Sequence, residues 1–128
     1  MKICITSQGR TLDDQVDQRF GRCQFFIIVD TETLDFEALE NQSAQFSGGA
    51  GIQSGQLMAS KGVKAVLTGN VGPNAFQTLT AGGIKIYTGI SGKVTDAVEK
   101  YKEGTLKPTE DANVGSKFGM PGKGNKTV

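Results

Sequence analysis

Histidine and tryptophan are absent from this chain of 128 residues, and cysteine and proline are scarce, at two and three residues. Without histidine the chain lacks the most usual general base and the commonest protein metal ligand. Serine–histidine and cysteine–histidine nucleophilic devices are excluded by composition. The two cysteines, Cys4 and Cys23, form no Cys-x-x-Cys pair for zinc or redox chemistry. No stretch approaches the roughly 18 to 20 apolar residues that a bilayer span needs, and Met1 runs directly into Lys-Ile-Cys-Ile-Thr with no signal-type segment. An excess of one charge is missing too: 14 Lys and Arg oppose 13 Asp and Glu, a formal charge of +1. Such a balance supplies no global field for nucleic acid or an anionic membrane. The expectation is a cytoplasmic protein with neither kind of partner, whose cysteines are free thiols.

Glycine, by contrast, is abundant at 18 residues, and it separates short apolar runs. The length suits one hydrophobic core rather than two. Residues 2–6 carry Ile3, Cys4 and Ile5 in succession, which reads as a central strand covered on both faces. Residues 7–18 are polar and read as a surface loop. Residues 25–30, Phe-Phe-Ile-Ile-Val-Asp, are a second buried strand. Alternation over residues 34–40 fits an antiparallel edge partner. Residues 50–61 then read as a helix that Gly55 weakens, closed by Gly62. Residues 63–67 form a buried strand, and Pro73 starts a short helix that stops at Gly82 and Gly83. Residues 84–87 are a further strand. Val94, Ala97, Val98 and Tyr101 recur at helical spacing before Gly104.

The order strand, strand, strand, helix, strand, helix, strand, helix predicts a three-layer α/β domain with a five-stranded mixed sheet, in which alternation implies parallel strands and right-handed crossovers. The domain is expected over residues 1–104. Residues 105–128 hold few core-forming side chains, with Pro108, Pro121 and four lysines against Glu110 and Asp111, and read as a flexible, locally basic tail.

Several of these pieces together carry a resemblance. Phe20-Gly21-Arg22 stands before the aromatic Phe25-Phe26, Gly-Gly-Ala-Gly precedes the first helix, Val-Leu-Thr-Gly-Asn-Val-Gly-Pro-Asn-Ala spans residues 66–75, and Ala-Gly-Gly-Ile-Lys-Ile-Tyr spans 81–87. In order and spacing they resemble the dinitrogenase iron-molybdenum cofactor biosynthesis family, as a small stand-alone member found in anaerobes. The resemblance implies a ribonuclease H-like fold with sheet order 3-2-1-4-5 and an antiparallel second strand. It also implies binding or carriage of an iron-sulfur or iron-molybdenum cluster or its precursor. Family members commonly have a histidine just before the Phe-Gly, where this chain has Arg19. A fold of that kind raises the question of nuclease activity, which needs carboxylates on the first strand to hold divalent metals. Residues 2–6 contain none.

Two candidate sites follow. Arg19, Phe20, Gly21, Arg22 and Cys23 place two guanidinium groups and a thiol beside the second strand. A thiolate is a soft ligand for iron, and flanking cations would lower its pKa and attract an anionic cluster. Cys23 is the candidate metal ligand, although a lone cysteine is far from the usual four thiolates; the alternative is a small strand-end residue with solvated arginines. Cys4 reads as core. The second candidate is anion binding by glycine turns before helices: Gly48, Gly49 and Gly51 before one, and Gly69, Asn70, Gly72 and Asn74 before another. These glycines read equally well as plain tight turns. The leading function is a non-enzymatic carrier for an anionic metallocluster or its precursor, exchanging it with a cluster-donor or acceptor protein. The alternative is a regulatory or interaction domain that binds a small anionic metabolite without metal.

Overall fold

In the computed structural model, which describes residues 1–42 and 50–110, the chain forms β1 (Lys2–Ser7), β2 (Phe25–Asp30), β3 (Phe36–Glu40), α1 (Ala50–Ser60), β4 (Val63–Leu67), α2 (Pro73–Ala81), β5 (Lys85–Tyr87) and α3 (Val94–Glu103). The sheet order is β3-β2-β1-β4-β5. β2 is antiparallel to both β1 and β3, while β1, β4 and β5 run parallel. The five-stranded mixed sheet, its order and its three helices are as the sequence predicts.

Consecutive apolar residues on β1 are explained by the two packed faces. Ile3 and Ile5 join Ile27, Val29, Ala65 and Leu67 beneath α3, through Val94, Ala97 and Val98. Cys4 points the other way and joins Phe26, Ile28, Val66 and Ile86 against Met58 of α1 and Ala75 and Leu79 of α2. Ile3, Ile5 and Ile27 are fully buried, and each contributes about 1.5–3 kcal/mol over an exposed position. The segment before Asp17 belongs to this core more than a surface loop would. Val16 is buried, and the carbonyls of Leu12 and Asp14 accept from the backbone N–H groups of Thr95 and Val94 at the start of α3.

β3 begins two residues later than the alternation suggests. Asp30 Oδ1 accepts from the N–H groups of Glu32 and Thr33, Leu34 N–H donates to Asp30 O at 2.8 Å, and Leu34 sits at φ 66°. The Asp30 turn therefore occupies the chain as far as Leu34.

Gly55, which weakens the helix by propensity, proves to be a contact residue. A Cβ at Gly55 would lie 2.7 Å from Thr78 Cγ2, and one at Gly51, a helical turn earlier, would lie 3.0 Å from Ala75 Cβ. Gly51 and Gly55 thus form the stripe along which α1 meets α2. Gly55→Ala is expected to destabilise by up to about 2 kcal/mol, because overpacking of about 1–3 kcal/mol outweighs the gain in helix propensity of about 1 kcal/mol. Combining it with Thr78→Ser, which removes the opposing methyl, should return part of the loss in a chemical-denaturation double-mutant cycle.

The expected tail requires a correction at its start. α3 ends at Gly104 in a left-handed conformation, but residues 105–110 fold back onto the domain. Leu106 packs against the α3 face of the core. Thr109 N–H donates to Ile86 O at 2.6 Å, its Oγ1 accepts from Thr88 N–H at 3.0 Å, and the two threonine hydroxyls lie 2.7 Å apart. These bonds occupy the edge of β5, which has no further strand beside it among the described residues. The remainder of the expected tail, residues 111–128, lies outside the described residues. Truncation after Gly104 should cost about 1–3 kcal/mol more than truncation after Glu110, through Leu106 and the Thr109 hydrogen bonds. Melting temperatures of the two truncated chains decide this.

Candidate functional site

β1 and β4 lie side by side and parallel, and from them the chain diverges to opposite edges of the sheet. At such a point loops leave a crevice at the carboxyl ends of the strands. Here the crevice is covered by residues 17–23, and buried hydroxyls hold them there. Thr6 at the end of β1 and Thr68 after β4 are fully buried. The Thr6 hydroxyl donates to Asp17 O at 2.6 Å and lies 2.8 Å from Thr68 Oγ1, while Asp17 N–H donates to Thr6 O at 2.9 Å. Next along the chain, Asn70 Nδ2 donates to Gln18 O and Phe20 N–H donates to Asn70 O, both at 3.0 Å. A Cβ at Gly69 would stand 2.8 Å from Gln18 Cα, so only glycine allows this approach.

The turn then meets the starts of two helices. Gly21 has φ 91°, and a Cβ there would lie 3.2 Å from Gly51 Cα, while a Cβ at Gly51 would lie 3.3 Å from Ala75 N. A cleft of ≈ 220 Å³ opens between the turn (Phe20, Gly21, Arg22), the first residues of α1 (Ala50, Gly51) and the β4–α2 junction (Gly72, Pro73, Asn74, Ala75). Of the residues singled out from sequence, Phe20, Gly21, Arg22, Gly51, Gly72 and Asn74 line it. Arg19, Cys23, Gly69 and Asn70 do not line it. Gly48 and Gly49 lie outside the described residues. Wider depressions of ≈ 370, ≈ 380 and ≈ 600 Å³ lie along β3 and at the amino ends of β1 and β4, and neither Gly51, Gly69 nor Gly72 lines them.

No acidic residue lines the cleft, and two further features bear on its charge. Arg22 is exposed at its rim, and neither α1 nor α2 carries an acid in its first turn. Gly72, the residue before α2, makes no side-chain cap. The positive helix ends are therefore not neutralised by carboxylates of their own. Arg19 turns to Asp17, its Nε 3.3 Å from Oδ1. Phe20 is an anchor: it is buried and packs on Phe26 with ring centroids 5.7 Å apart.

Cys23 contradicts the expectation of an accessible, acidified thiol. Its side chain is fully buried, behind the turn. Burial, and next the nearby Asp17 carboxylate, push the thiol well above its ordinary value. The arginines do not offset this, since Arg19 is engaged with Asp17 and both guanidinium groups belong to exposed residues. Cys4 is buried as core, with its thiol raised chiefly by desolvation. Among the described residues no three Cys, Asp or Glu side chains come together as a metal-holding group.

Two polar residues that sequence reasoning missed shape the turn. Asp17 is 3% exposed and Asn41 6%. Asn41 Nδ2 donates to Gly21 O at 3.0 Å and to Cys23 O at 2.9 Å, contacts 20 and 18 residues away in the chain. No local pattern announces such pairings; the only signal is an amide placed directly after an edge strand.

Both thiols should resist aromatic disulfide reagents in the native protein and react stoichiometrically once it is unfolded. Because folding raises their pKa, the stability they carry is complete below the ordinary thiol value of 9.0 and declines as pH rises above it. A native thiol titrating near neutral pH would contradict this.

Comparison with known proteins agrees with the fold. An uncharacterised protein of Methanocaldococcus jannaschii is 30% identical over 113 residues, 86% of this chain and 92% of that one. The apo form of the orange protein from Desulfovibrio gigas superposes with a TM-score of 0.85 at 39% identity, covering 88% of this chain and 95% of that one. A Thermotoga protein named for NifB gives a TM-score of 0.73 at 40% identity, over 84% and 91% of the two chains. No helix among the described residues is long and apolar enough to cross a membrane. The family described as dinitrogenase iron-molybdenum cofactor matches residues 1–104, and this chain belongs to it.

Proposed function

We propose that this protein is a non-enzymatic cytoplasmic carrier of an anionic iron-sulfur or iron-molybdenum cluster or its precursor, held as cargo by charge and backbone amides and passed between a donor and an acceptor protein. The observation that carries this reading is the convergence of two helix starts without acidic first turns on the Gly21–Arg22 turn, around one cleft of ≈ 220 Å³. The donor set favours such a mode over thiolate ligation: Cys23 is buried, and burial holds its thiol well above the ordinary value, while no metal-holding trio exists among the described residues. Family membership supplies the class of cargo.

The magnitudes suit reversible carriage. A helix end contributes about 0.3–2 kcal/mol toward an anion and a charge-assisted hydrogen bond about 1.5–3 kcal/mol. Two helix ends and a guanidinium contact give several kcal/mol before the cost of association is met. That is enough to hold a multiply charged anion and little enough to release it. The same donors suit a small anionic metabolite, which is the second reading; the family favours the cluster.

Anaerobic reconstitution with iron, molybdate and sulfide, followed by metal analysis and absorption spectra, tests the proposal. Wild type and Cys23→Ser should retain equal cluster, while Arg22→Glu should bind at least tenfold more weakly. Loss of the chromophore in Cys23→Ser would establish thiolate ligation instead. A wild type that takes up no cluster but is thermally stabilised by phosphorylated metabolites would establish the second reading.

A further inference from the structure

We infer that Asp17 and Asn41 are the positioning residues of the cleft, a two-sided clamp that fixes which way the peptide groups of residues 19–24 face; this rests on the carrier reading above. Asp17 grips the N–H side. Its Oδ1 accepts from Arg19 N–H at 3.1 Å and its Oδ2 from Gln24 N–H at 3.2 Å, so one carboxylate spans both ends of the turn. The same two oxygens take Arg19 Nε at 3.3 Å and Nη2 at 3.4 Å. The residue is itself fastened to β1 through both of its backbone bonds with Thr6. Asn41 grips the carbonyl side, at Gly21 O and Cys23 O, and is fastened to the entry of β2 by its own N–H, which donates to Gln24 O at 3.0 Å.

The consequence follows from peptide geometry. In a trans peptide the C=O and the following N–H point in opposite directions, and the described chain has no cis bond. The 23–24 peptide shows this directly, with its C=O on Asn41 and its N–H on Asp17. For the 21–22 peptide, the same hold on Gly21 O turns the N–H of Arg22 away from Asn41. Gly21 and Arg22 line the cleft and Asn41 does not. The clamp thus withdraws carbonyl oxygens, the negative ends of these dipoles, from a site that receives an anion. A turn free to flip would present them to the cargo and lose affinity, in the manner of any donor array that is not preorganised.

The sign of one substitution separates positioning from simple charge. A buried carboxylate near an anion site opposes the anion by Coulomb repulsion, so if Asp17 acted through charge alone, Asp17→Asn would tighten binding. As a clamp, Asp17→Asn places an NH2 group against one of the two N–H donors, loosens the turn and weakens binding. Asn41→Ser removes the hold on the carbonyls without changing any charge.

The test measures uptake of iron, molybdate and sulfide under anaerobic conditions, together with amide hydrogen exchange, on wild type, Asp17→Asn and Asn41→Ser. Both variants should bind the reconstituted cluster at least tenfold more weakly than wild type. Exchange at Gln24 should accelerate at least tenfold in Asp17→Asn, with the amides of β1 and β4 unchanged. Affinity in Asp17→Asn equal to or above that of wild type would overturn the clamp. Should that variant fail to fold, equal affinity in Asn41→Ser would overturn it instead. Wild type that takes up no cluster would defeat the carrier reading itself, an outcome distinct from variants that bind as wild type does.

Discussion

The structure depends on two buried hydroxyls at the ends of parallel strands. Thr6 and Thr68 are fully buried, and a buried hydroxyl without a partner costs several kcal/mol. Their mutual contact and the bond from Thr6 to Asp17 O satisfy that demand. In doing so they bring a segment remote in sequence down onto the carboxyl ends of β1 and β4. Once Asp17 is placed there, its carboxylate sets the turn that follows, the turn sets Gly21 against α1, and Gly51 sets α1 against α2. The cleft is the space these contacts leave.

Charge is distributed accordingly. The acid of the site is interior and the bases are exterior: Asp17 has a side chain 4% exposed, its partner Arg19 one 61% exposed. An ion pair with one member so solvated adds little to stability, so the worth of Asp17 lies in its two backbone amide bonds. Those bonds replace solvation of the carboxylate by fixed dipoles, which is what lets a charged group remain in the interior. They also leave the outer surface of the turn to cations and helix ends.

The sheet was legible in the sequence because its signals are local. Continuous apolar runs at residues 3–5 and 25–29, and the run 63–67 broken only by Lys64, mark strands covered on two faces, and glycine or proline punctuates each helix. What escaped was set by contacts between distant residues. Gly55 is a weak helix former by propensity, yet its place is decided by Thr78 on another helix. Cys23 directly follows the cation Arg22 in the chain, but alternation before β2 turns it inward while Arg22 and Gln24 face out. Asp17 resembled Asp13 and Asp14 as one more loop acid, and only the fold distinguishes it. The start of the tail is not legible in the sequence because Leu106 and Thr109 are too few to form a core, although they are enough to complete the edge of one already formed.

Glycine at the cleft therefore has a use beyond tight turning. The backbones of the turn, of α1 and of α2 approach to distances at which an added Cβ would meet its neighbour at 3.0–3.3 Å. Three rigid backbone segments in contact cannot shift separately, because close-packed interiors transmit displacement rather than absorb it. The amide groups around the cleft are then oriented before any ligand arrives, and binding need not meet the cost of ordering them. Arg22 stands exposed at the rim. Small fixed dipoles with a cation beside them suit the proposed cargo, recognised by charge and size, and leave the buried thiol to the core.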